Sequence, residues 1–180
     1  MWAPKCEQLY GVDVADAVRH GPRQVARVQA SAVALPFAAG TFDTVVFSEV
    51  LEHLPAGTER RALEELRRVI APQGHLLLTT PHKGWFAWLD PMDARRRMGF
   101  ADAGHRHYTR DEIESLLCGL FEIEVFERCG LLLYPLSVAL GFRSNQSRFL
   151  LRLRSLLSAR EYRRDFGSAS YNLMLVASAV

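Results

Sequence analysis

Histidines next to predicted strand ends are the side chains of this sequence best suited to acid–base chemistry. His53 follows the strand-like segment 42–50, and His82 comes directly after Pro81, where another apolar segment ends. An imidazole titrates near neutral pH, so either ring could take a proton from an attacking hydroxyl or amine. We therefore predict His53 and His82 as catalytic candidates. The alternatives are that His53 packs on the following turn and that His82 is a solvated loop residue.

A second group of candidates lies in the segment 81–108. Trp85, His105, His107 and Tyr108 combine aromatic rings with hydrogen-bonding groups, a mixture that suits contact with a substrate. Two histidines alone do not complete a zinc ligand set, and we predict no metal site. The alternative is a loop that is ordered by packing of Tyr108.

The elements that must position these residues are visible as apolar patterns. Predicted strands cover 9–14, 25–30, 42–50, 75–80, 121–128 and 172–179, and predicted helices cover 58–70 and 109–120. Continuous apolar strands that alternate with helices are typical of a parallel sheet covered on both faces. Thr58 can cap the first helix, and Thr109 with Glu112 forms a capping box for the second. The alternating pattern of 121–128 predicts a half-exposed strand near a sheet edge.

Composition describes one ordinary globular domain. The length of 180 residues suits a single domain, 1–180, with an insertion at about 129–170. A net charge of +2 is too small to indicate nucleic acid. The three cysteines lack CxxC spacing, which argues against disulfides and zinc and for a cytoplasmic protein. The apolar run 129–142 is shorter than the roughly 20 residues of a spanning helix.

The segment 130–164 allows two interpretations. Its second half mixes leucines with arginines, namely Arg143, Arg148, Arg152, Arg154, Arg160, Arg163 and Arg164. One interpretation is a basic amphipathic helix at an anionic membrane surface. The other is a helix whose leucines pack on the sheet and whose arginines are solvated. The sequence predicts no oligomeric state.

Three segments between residues 9 and 81 follow one another in a suggestive order. The first is YGVDVA at 10–15, the second is LPF at 35–37 followed by FD at 42–43, and the third is FSEVLEHL at 47–54 followed by RVIAPQG at 68–74. Each is common alone. In this order and spacing they resemble the class I, Rossmann-like S-adenosylmethionine-dependent methyltransferases.

The resemblance implies a fold, a cofactor and a set of contacts. The fold is an α/β Rossmann-like sheet, mostly parallel with an antiparallel last strand, and the reaction is methyl transfer from S-adenosylmethionine to a small-molecule, saccharide or lipid-linked acceptor. The implied contacts are Asp13 and Val14 at the ribose, Ser31 and Ala32 at the adenine, and Ser48, Glu49 and Val50 at the methionine part. Ser31 replaces the family's usual acid, and a hydroxyl can accept the same bond without the charge.

The resemblance also implies that the first strand and the Gly-x-Gly loop of the family are missing. In the family that strand lies in the middle of the sheet, and the loop lets the backbone approach the cofactor. Three interpretations follow: a truncated or misassigned start, which we favour; direct pairing of the flanking strands with loss of cofactor binding; or a strand supplied by another chain. The alternative function is a non-catalytic remnant or an interaction module.

Overall fold

The computed structural model describes residues 6–15, 25–85, 87, 106–130 and 165–180. The strands are β1 (Tyr10–Asp13), β2 (Ala26–Gln29), β3 (Phe42–Ser48), β4 (Ile70–Pro81), β5 (Phe121–Cys129) and β6 (Asn172–Ala179). The helices are α1 (Glu59–Val69) and α2 (Arg110–Leu117), with short 3-10 turns at Leu51–His53 and Gly167–Ala169. Every strand and helix expected from the sequence is therefore present within three residues of its predicted bounds, except that β4 begins at Ile70 rather than at His75.

The strands form a mixed sheet of the predicted kind. β1 pairs with β2 in parallel, and β3 pairs with β4 in parallel. The last strand, β6, lies between β4 and β5 and runs antiparallel to both. This arrangement confirms the predicted mostly parallel α/β sheet with an antiparallel last strand, and it places β5 at an edge as its alternating pattern indicates.

The sheet is divided between β1 and β3. Among the described residues, β1 is paired only with β2, and β3 only with β4. The two parts meet through the edge-to-face rings of Tyr10, Phe37 and Phe42, whose centroids lie 4.8 to 5.6 Å apart. The division lies where the family resemblance implies a missing strand, and no direct pairing of the flanking strands is observed.

Burial along these two strands differs from the expectation. Tyr10 and Val12 of β1 are 38% and 40% exposed, and Val46 of β3 is 57% exposed. The prediction that β1 is a buried strand is wrong, and so is the expected covering of both faces at Val46. The physical reason is the division of the sheet, since each of these strands has one neighbour among the described residues and its other edge is uncovered there.

The core lies on the larger part of the sheet. Helix α1 buries Ala62, Leu63, Leu66 and Val69. Helix α2 buries Ile113 and Leu117, and both helices contribute to one cluster with the inner residues of the central strands, Leu76, Leu78, Leu173, Leu175 and Ala177. Each fully buried leucine contributes about 1.5–3 kcal/mol, so β4 and β6 form the most stable platform for the residues at their ends.

The two predicted N-caps behave differently. Thr109 accepts a hydrogen bond from the Glu112 amide, and the Glu112 carboxylate accepts one from the Thr109 amide, which confirms the capping box. Thr58 occupies the N-cap of α1, but its hydroxyl donates to the Pro55 carbonyl at 2.7 Å and makes no cap bond. The predicted capping by Thr58 is wrong because the preceding turn offers its hydroxyl an acceptor.

Gly74 lets β4 approach β3. A Cβ atom at this position would lie 2.7 Å from Ile70 Cγ2 and 2.9 Å from the carbonyl oxygens of Ala71 and Asp43. Only glycine fits such a close approach of backbone to backbone. The chain can therefore turn from the end of α1 directly into β4, which begins at Ile70 rather than at the predicted His75.

Candidate functional site

The predicted cofactor contacts lie at or just after the carboxyl ends of three strands, β1, β2 and β3. Asp13 ends β1 opposite Gln29 at the end of β2, and Ser48 ends β3 opposite Thr79 of β4. Ser31 comes two residues after β2. Because the paired strands are parallel, their carboxyl ends point the same way, and this is the end at which open α/β sheets bind ligands.

Asp13 is an exposed carboxylate at the end of β1. Its Oδ1 accepts a hydrogen bond of 2.8 Å from the Ala15 amide, a local turn that fixes the side chain. Its carbonyl accepts from the Ala30 amide at 3.0 Å. Gln29 Nε2 donates to the Val14 carbonyl at 3.1 Å, so the two loops that follow β1 and β2 are tied together.

Ser31 and Ala32 form a tight turn after β2. The Ala34 amide donates to the Ser31 carbonyl at 3.0 Å, and the Val33 amide donates to Ser31 Oγ at 3.4 Å. The Ser31 hydroxyl can still donate its own proton. Ala32 packs against the main hydrophobic cluster. The turn therefore holds Ser31 at the same end of the smaller sheet as Asp13.

Ser48 and Glu49 share a polar chain with Thr79, a residue that sequence reasoning missed. The hydroxyls of Ser48 and Thr79 are 2.8 Å apart, and Thr79 Oγ1 donates to Glu49 Oε1 at 2.8 Å. Glu49 has a φ of 54°, a left-handed conformation that is uncommon outside glycine and that occurs often at functional sites. Aligning the predicted strands β3 and β4 in parallel, with Ser48 opposite Thr79, could have placed Thr79 in this group.

The turn after Glu49 carries the remaining residues of this group. Val50 is half-buried and packs on the core, while His53 is exposed at the end of the 3-10 turn. Glu52, which sequence reasoning also missed, is only 3% exposed, and its Oε2 accepts from Thr80 Oγ1 at 3.4 Å. The catalytic assignment of His53 stays a prediction.

His82 is buried rather than solvated. It is 8% exposed, its Nδ1 donates to the Ser170 carbonyl at 2.9 Å, and its amide donates to the Tyr171 carbonyl at 2.7 Å. Burial lowers the pKa of this imidazole below its ordinary value. The ring is therefore held neutral against the segment that precedes β6, and its catalytic role stays a prediction.

The predicted substrate residues lie in different surroundings. Tyr108 is buried, pairs with His82 in a short parallel bridge, and donates its hydroxyl to the Leu51 carbonyl at 3.3 Å. Its burial raises the pKa of the phenol. His107 is half-buried and Trp85 is 76% exposed, whereas His105 lies outside the described residues. Tyr108 is thus packed beside the end of β4, and contact of these four residues with a substrate stays a prediction.

Arg106 connects the same loop to the turn after β3. Its Nη2 donates to the carbonyls of Leu51, at 3.2 Å, and Leu54, and its Nη1 lies 3.0 Å from Glu59 Oε1. Sequence reasoning singled out the histidines on either side and missed this arginine. A cation that joins the end of one turn to the start of α1 fixes the segment that follows Glu49.

The arrangement offers hydrogen-bonding partners for the ribose and for other polar groups of a nucleoside cofactor. An exposed carboxylate at Asp13 can accept two ribose hydroxyls, Ser31 supplies a hydrogen-bonding group at the same end, and Ser48 and Glu49 supply more at the end of β3. Among the described residues, no three histidine, cysteine or acidic side chains are grouped so as to hold a metal ion. None of the helices in the described ranges is long and apolar enough to cross a membrane.

Comparison with known proteins gives a family match and a fold match. Residues 1–78 match the model of the methyltransferase domain family. A search of curated proteins by sequence gave no match. An S-adenosylmethionine-dependent methyltransferase from Methanosarcina mazei is similar in structure, with 20% identity, a TM-score of 0.60, and coverage of 98% of this chain and 84% of that one.

Two further structures of similar fold carry different activities in their names. The N-methyltransferase NodS from Bradyrhizobium japonicum, solved with S-adenosylhomocysteine, has 16% identity, a TM-score of 0.56, and coverage of 98% and 69% of the two chains. The [4+2]-cyclase SpnF has 18% identity, a TM-score of 0.62, and coverage of 98% and 68%. Residues 1–78 are therefore similar to a methyltransferase domain, and the chain shares its fold with solved S-adenosylmethionine-dependent methyltransferases.

Proposed function

We propose that this chain binds S-adenosylmethionine and catalyses methyl transfer. The observation that carries the proposal is the exposed carboxylate of Asp13, fixed at the carboxyl end of β1 beside the Ser31 turn. The cofactor supplies a methyl group that is already activated, so the protein mainly has to bind it and to align a nucleophile. Asp13 and Val14 would hold the ribose, Ser31 and Ala32 the adenine, and Ser48, Glu49 and Val50 the methionine part.

The acceptor is proposed to be a small molecule, a saccharide or a lipid-linked compound. The support is the aromatic character of the segment 81–108, where the Trp85 indole is exposed and the Trp85 backbone amide donates to the Ser168 carbonyl at 3.0 Å. His53 and His82 are the proposed bases, and His105, His107 and Tyr108 are proposed to contact the acceptor with Trp85. A lipid-linked acceptor would suit membrane-surface contact through 130–164, a segment that lies outside the described residues from 131 onward.

The second candidate function is a non-catalytic remnant that keeps the fold without binding the cofactor. The observation that favours it is the division of the sheet between β1 and β3, beside the proposed cofactor contacts. SpnF, named as a cyclase, has a similar fold, and a shared fold does not fix an activity.

Calorimetric titration of the full chain with S-adenosylhomocysteine tests the proposal. Asp13→Asn keeps an acceptor for the Ala15 amide but removes the charge that would hold the ribose. We expect this variant to weaken binding roughly 10- to 100-fold, as the loss of a charged hydrogen bond does. Asp43→Asn, at the exposed amino end of β3, is the matched control and should bind like the parent.

The outcomes separate the two functions. Binding by the parent with the expected loss in Asp13→Asn supports the cofactor site. A folded parent that binds no S-adenosylhomocysteine contradicts methyl transfer by this chain and favours the remnant. Equal binding by the parent and Asp13→Asn would rule out Asp13 as the ribose acid.

A further inference from the structure

Arg68 joins two motifs that lie far apart in the sequence. Its Nη1 donates to the Phe37 carbonyl at 2.7 Å, and its Nη2 donates to the Leu35 carbonyl at 2.9 Å. Its own carbonyl accepts from the Gly40 amide at 2.9 Å. The first residue of RVIAPQG is therefore bound to the backbone of LPF, so the last turn of α1 fixes the loop between β2 and β3.

Glu65 binds the same loop through the backbone amide of Leu35. Its Oε2 accepts from the Leu35 amide at 3.0 Å, while Arg68 Nε donates to Oε1 at 3.0 Å and Nη2 to Oε2 at 2.8 Å. Both backbone groups of Leu35 are thus held by one ion pair. The hydrogen bonds from the Arg68 guanidinium and the Leu35 amide favour the charged carboxylate and lower the pKa of the Glu65 carboxyl to about 2.

Leu35 is connected to the Ser31–Ala32 turn, which carries two of the proposed cofactor contacts. The Ala34 amide, next to Leu35, donates to the Ser31 carbonyl at 3.0 Å. Ala32 and Leu35 pack against the same hydrophobic cluster. A shift of Leu35 would therefore displace the Ser31 turn, because the Ala34 amide and the shared cluster connect the two.

We propose that Glu65 and Arg68 are positioning residues that set the Ser31–Ala32 turn for the adenine of the cofactor. This inference rests on the proposed function, since it assigns the turn to the cofactor site. Neither side chain is placed to touch the cofactor, and both act through the backbone of Leu35. A bidentate guanidinium is needed for this because its donors reach the Phe37 and Leu35 carbonyls together, which a lysine ammonium cannot imitate.

Helix α1 offers a matched control. Arg60 also donates to two carbonyls, those of Leu116 and Cys118 at 2.8 and 2.9 Å, and also pairs with a glutamate, Glu64 at 3.2 Å. Its target is the end of α2 rather than the Ser31 turn. Arg60→Lys therefore loosens a comparable clamp away from the proposed cofactor contacts.

The experiment compares Arg68→Lys, Glu65→Gln and Arg60→Lys in the full chain. Affinity for S-adenosylhomocysteine is measured by calorimetry at a temperature where circular dichroism shows each variant to be folded. Amide hydrogen exchange of the free protein reports the Ser31 turn through the amides of Ala34 and Leu35. We expect the first two variants to weaken binding roughly 10- to 100-fold, the scale of a small displacement in a site, and to speed exchange at these amides, while Arg60→Lys changes neither.

Each outcome decides the question. Unchanged affinity in Arg68→Lys and Glu65→Gln overturns the positioning role even if both variants melt at lower temperature. Weakened affinity in all three variants also overturns it, since the effect would then be general loosening of α1. If the parent binds no S-adenosylhomocysteine, the proposed function fails, and hydrogen exchange alone tests the positioning role of Glu65 and Arg68. Faster exchange that is confined to residues 31–41 in Arg68→Lys and Glu65→Gln then supports this role. Unchanged exchange overturns it.

Discussion

At the residue scale, the surroundings of His82 decide what its imidazole can do. The ring lies against the Ser170 carbonyl, and the titratable groups that act on it are Arg128, Asp165 and His107. Removal from water is the largest effect, and it disfavours the charged ring. Gly84 is part of the same packing, because a Cβ there would lie 2.4 Å from the Ser168 carbonyl oxygen and 2.9 Å from His82 Nδ1.

A pH dependence of stability follows from this burial. The pKa of His82 in the folded chain is lowered from the ordinary 6.5, so the unfolded chain binds the proton more readily. The contribution of the neutral ring is therefore complete above about pH 6.5 and is lost as the pH falls through that value toward the folded pKa. We expect the free energy of unfolding, measured with urea between pH 7.5 and 5, to decrease through this window.

The variant His82→Asn tests the source of that decrease. Asparagine keeps an N–H donor near the position of Nδ1 but does not titrate, so the curve should become flatter between pH 7 and 5. His75→Asn, which removes a half-buried histidine on β4 whose Nε2 lies 3.6 Å from Glu124 Oε1, is the control at a different site. A slope that persists unchanged in His82→Asn would mean that another group causes the decrease.

At the element scale, two threonines at helix N-caps show that a threonine at this position does not always form the capping hydrogen bond. Thr109 bonds the Glu112 amide at 3.2 Å, whereas the Thr58 hydroxyl is directed back to Pro55. The difference lies in the backbone: Thr109 is extended, with φ −83° and ψ 167°, while Thr58 is helical, with φ −101° and ψ −1°. A cap side chain reaches the first turn from the extended conformation.

The capping box of α2 should be visible as stability. We expect Thr109→Ala to lower the free energy of unfolding by about 1 kcal/mol, because the Glu112 amide loses its acceptor. Thr109→Ser keeps the hydroxyl and should recover most of the loss in the same urea titration. Equal destabilisation by the two variants would show that the methyl group of Thr109, and not its oxygen, stabilises the helix start.

At the scale of the whole molecule, the divided sheet implies two levels of local stability. Strands β1 and β2 have four residues each and form a two-stranded sheet, an arrangement that is only marginally stable by itself. Strands β4 and β6 pair along seven positions, and β6 has a partner on each side. The small sheet should therefore open without the large one.

Native-state hydrogen exchange tests this difference. We expect the amides of 26–29 to exchange through local opening at a lower free energy than those of 173–178, whose exchange should require global unfolding. The two sets are compared in one sample at increasing low urea concentrations. The same opening free energy for both sets would contradict the idea of two levels and indicate that the two parts of the sheet unfold as one unit.

The sequence alone determined the features that depend on near neighbours along the chain. The strand at 172–179 and the capping box at Thr109 are local patterns that the structure confirms. The motifs between 9 and 81 are each short runs of the same kind, and the match of residues 1–78 to a methyltransferase domain agrees with the resemblance drawn from them. Periodicity and capping involve residues a few positions apart, so their physics is already present in the sequence.

Only the tertiary structure decided which distant groups meet. The sequence did not predict that Arg68 binds the LPF backbone, that Thr79 joins Ser48 and Glu49, or that His82 is buried beneath Ser170. The exposure of β1 was also decided there, because burial depends on what lies beside a strand and not on its own residues. Such contacts join positions 30 or more residues apart in the chain, and their geometry follows from the packing of the whole domain.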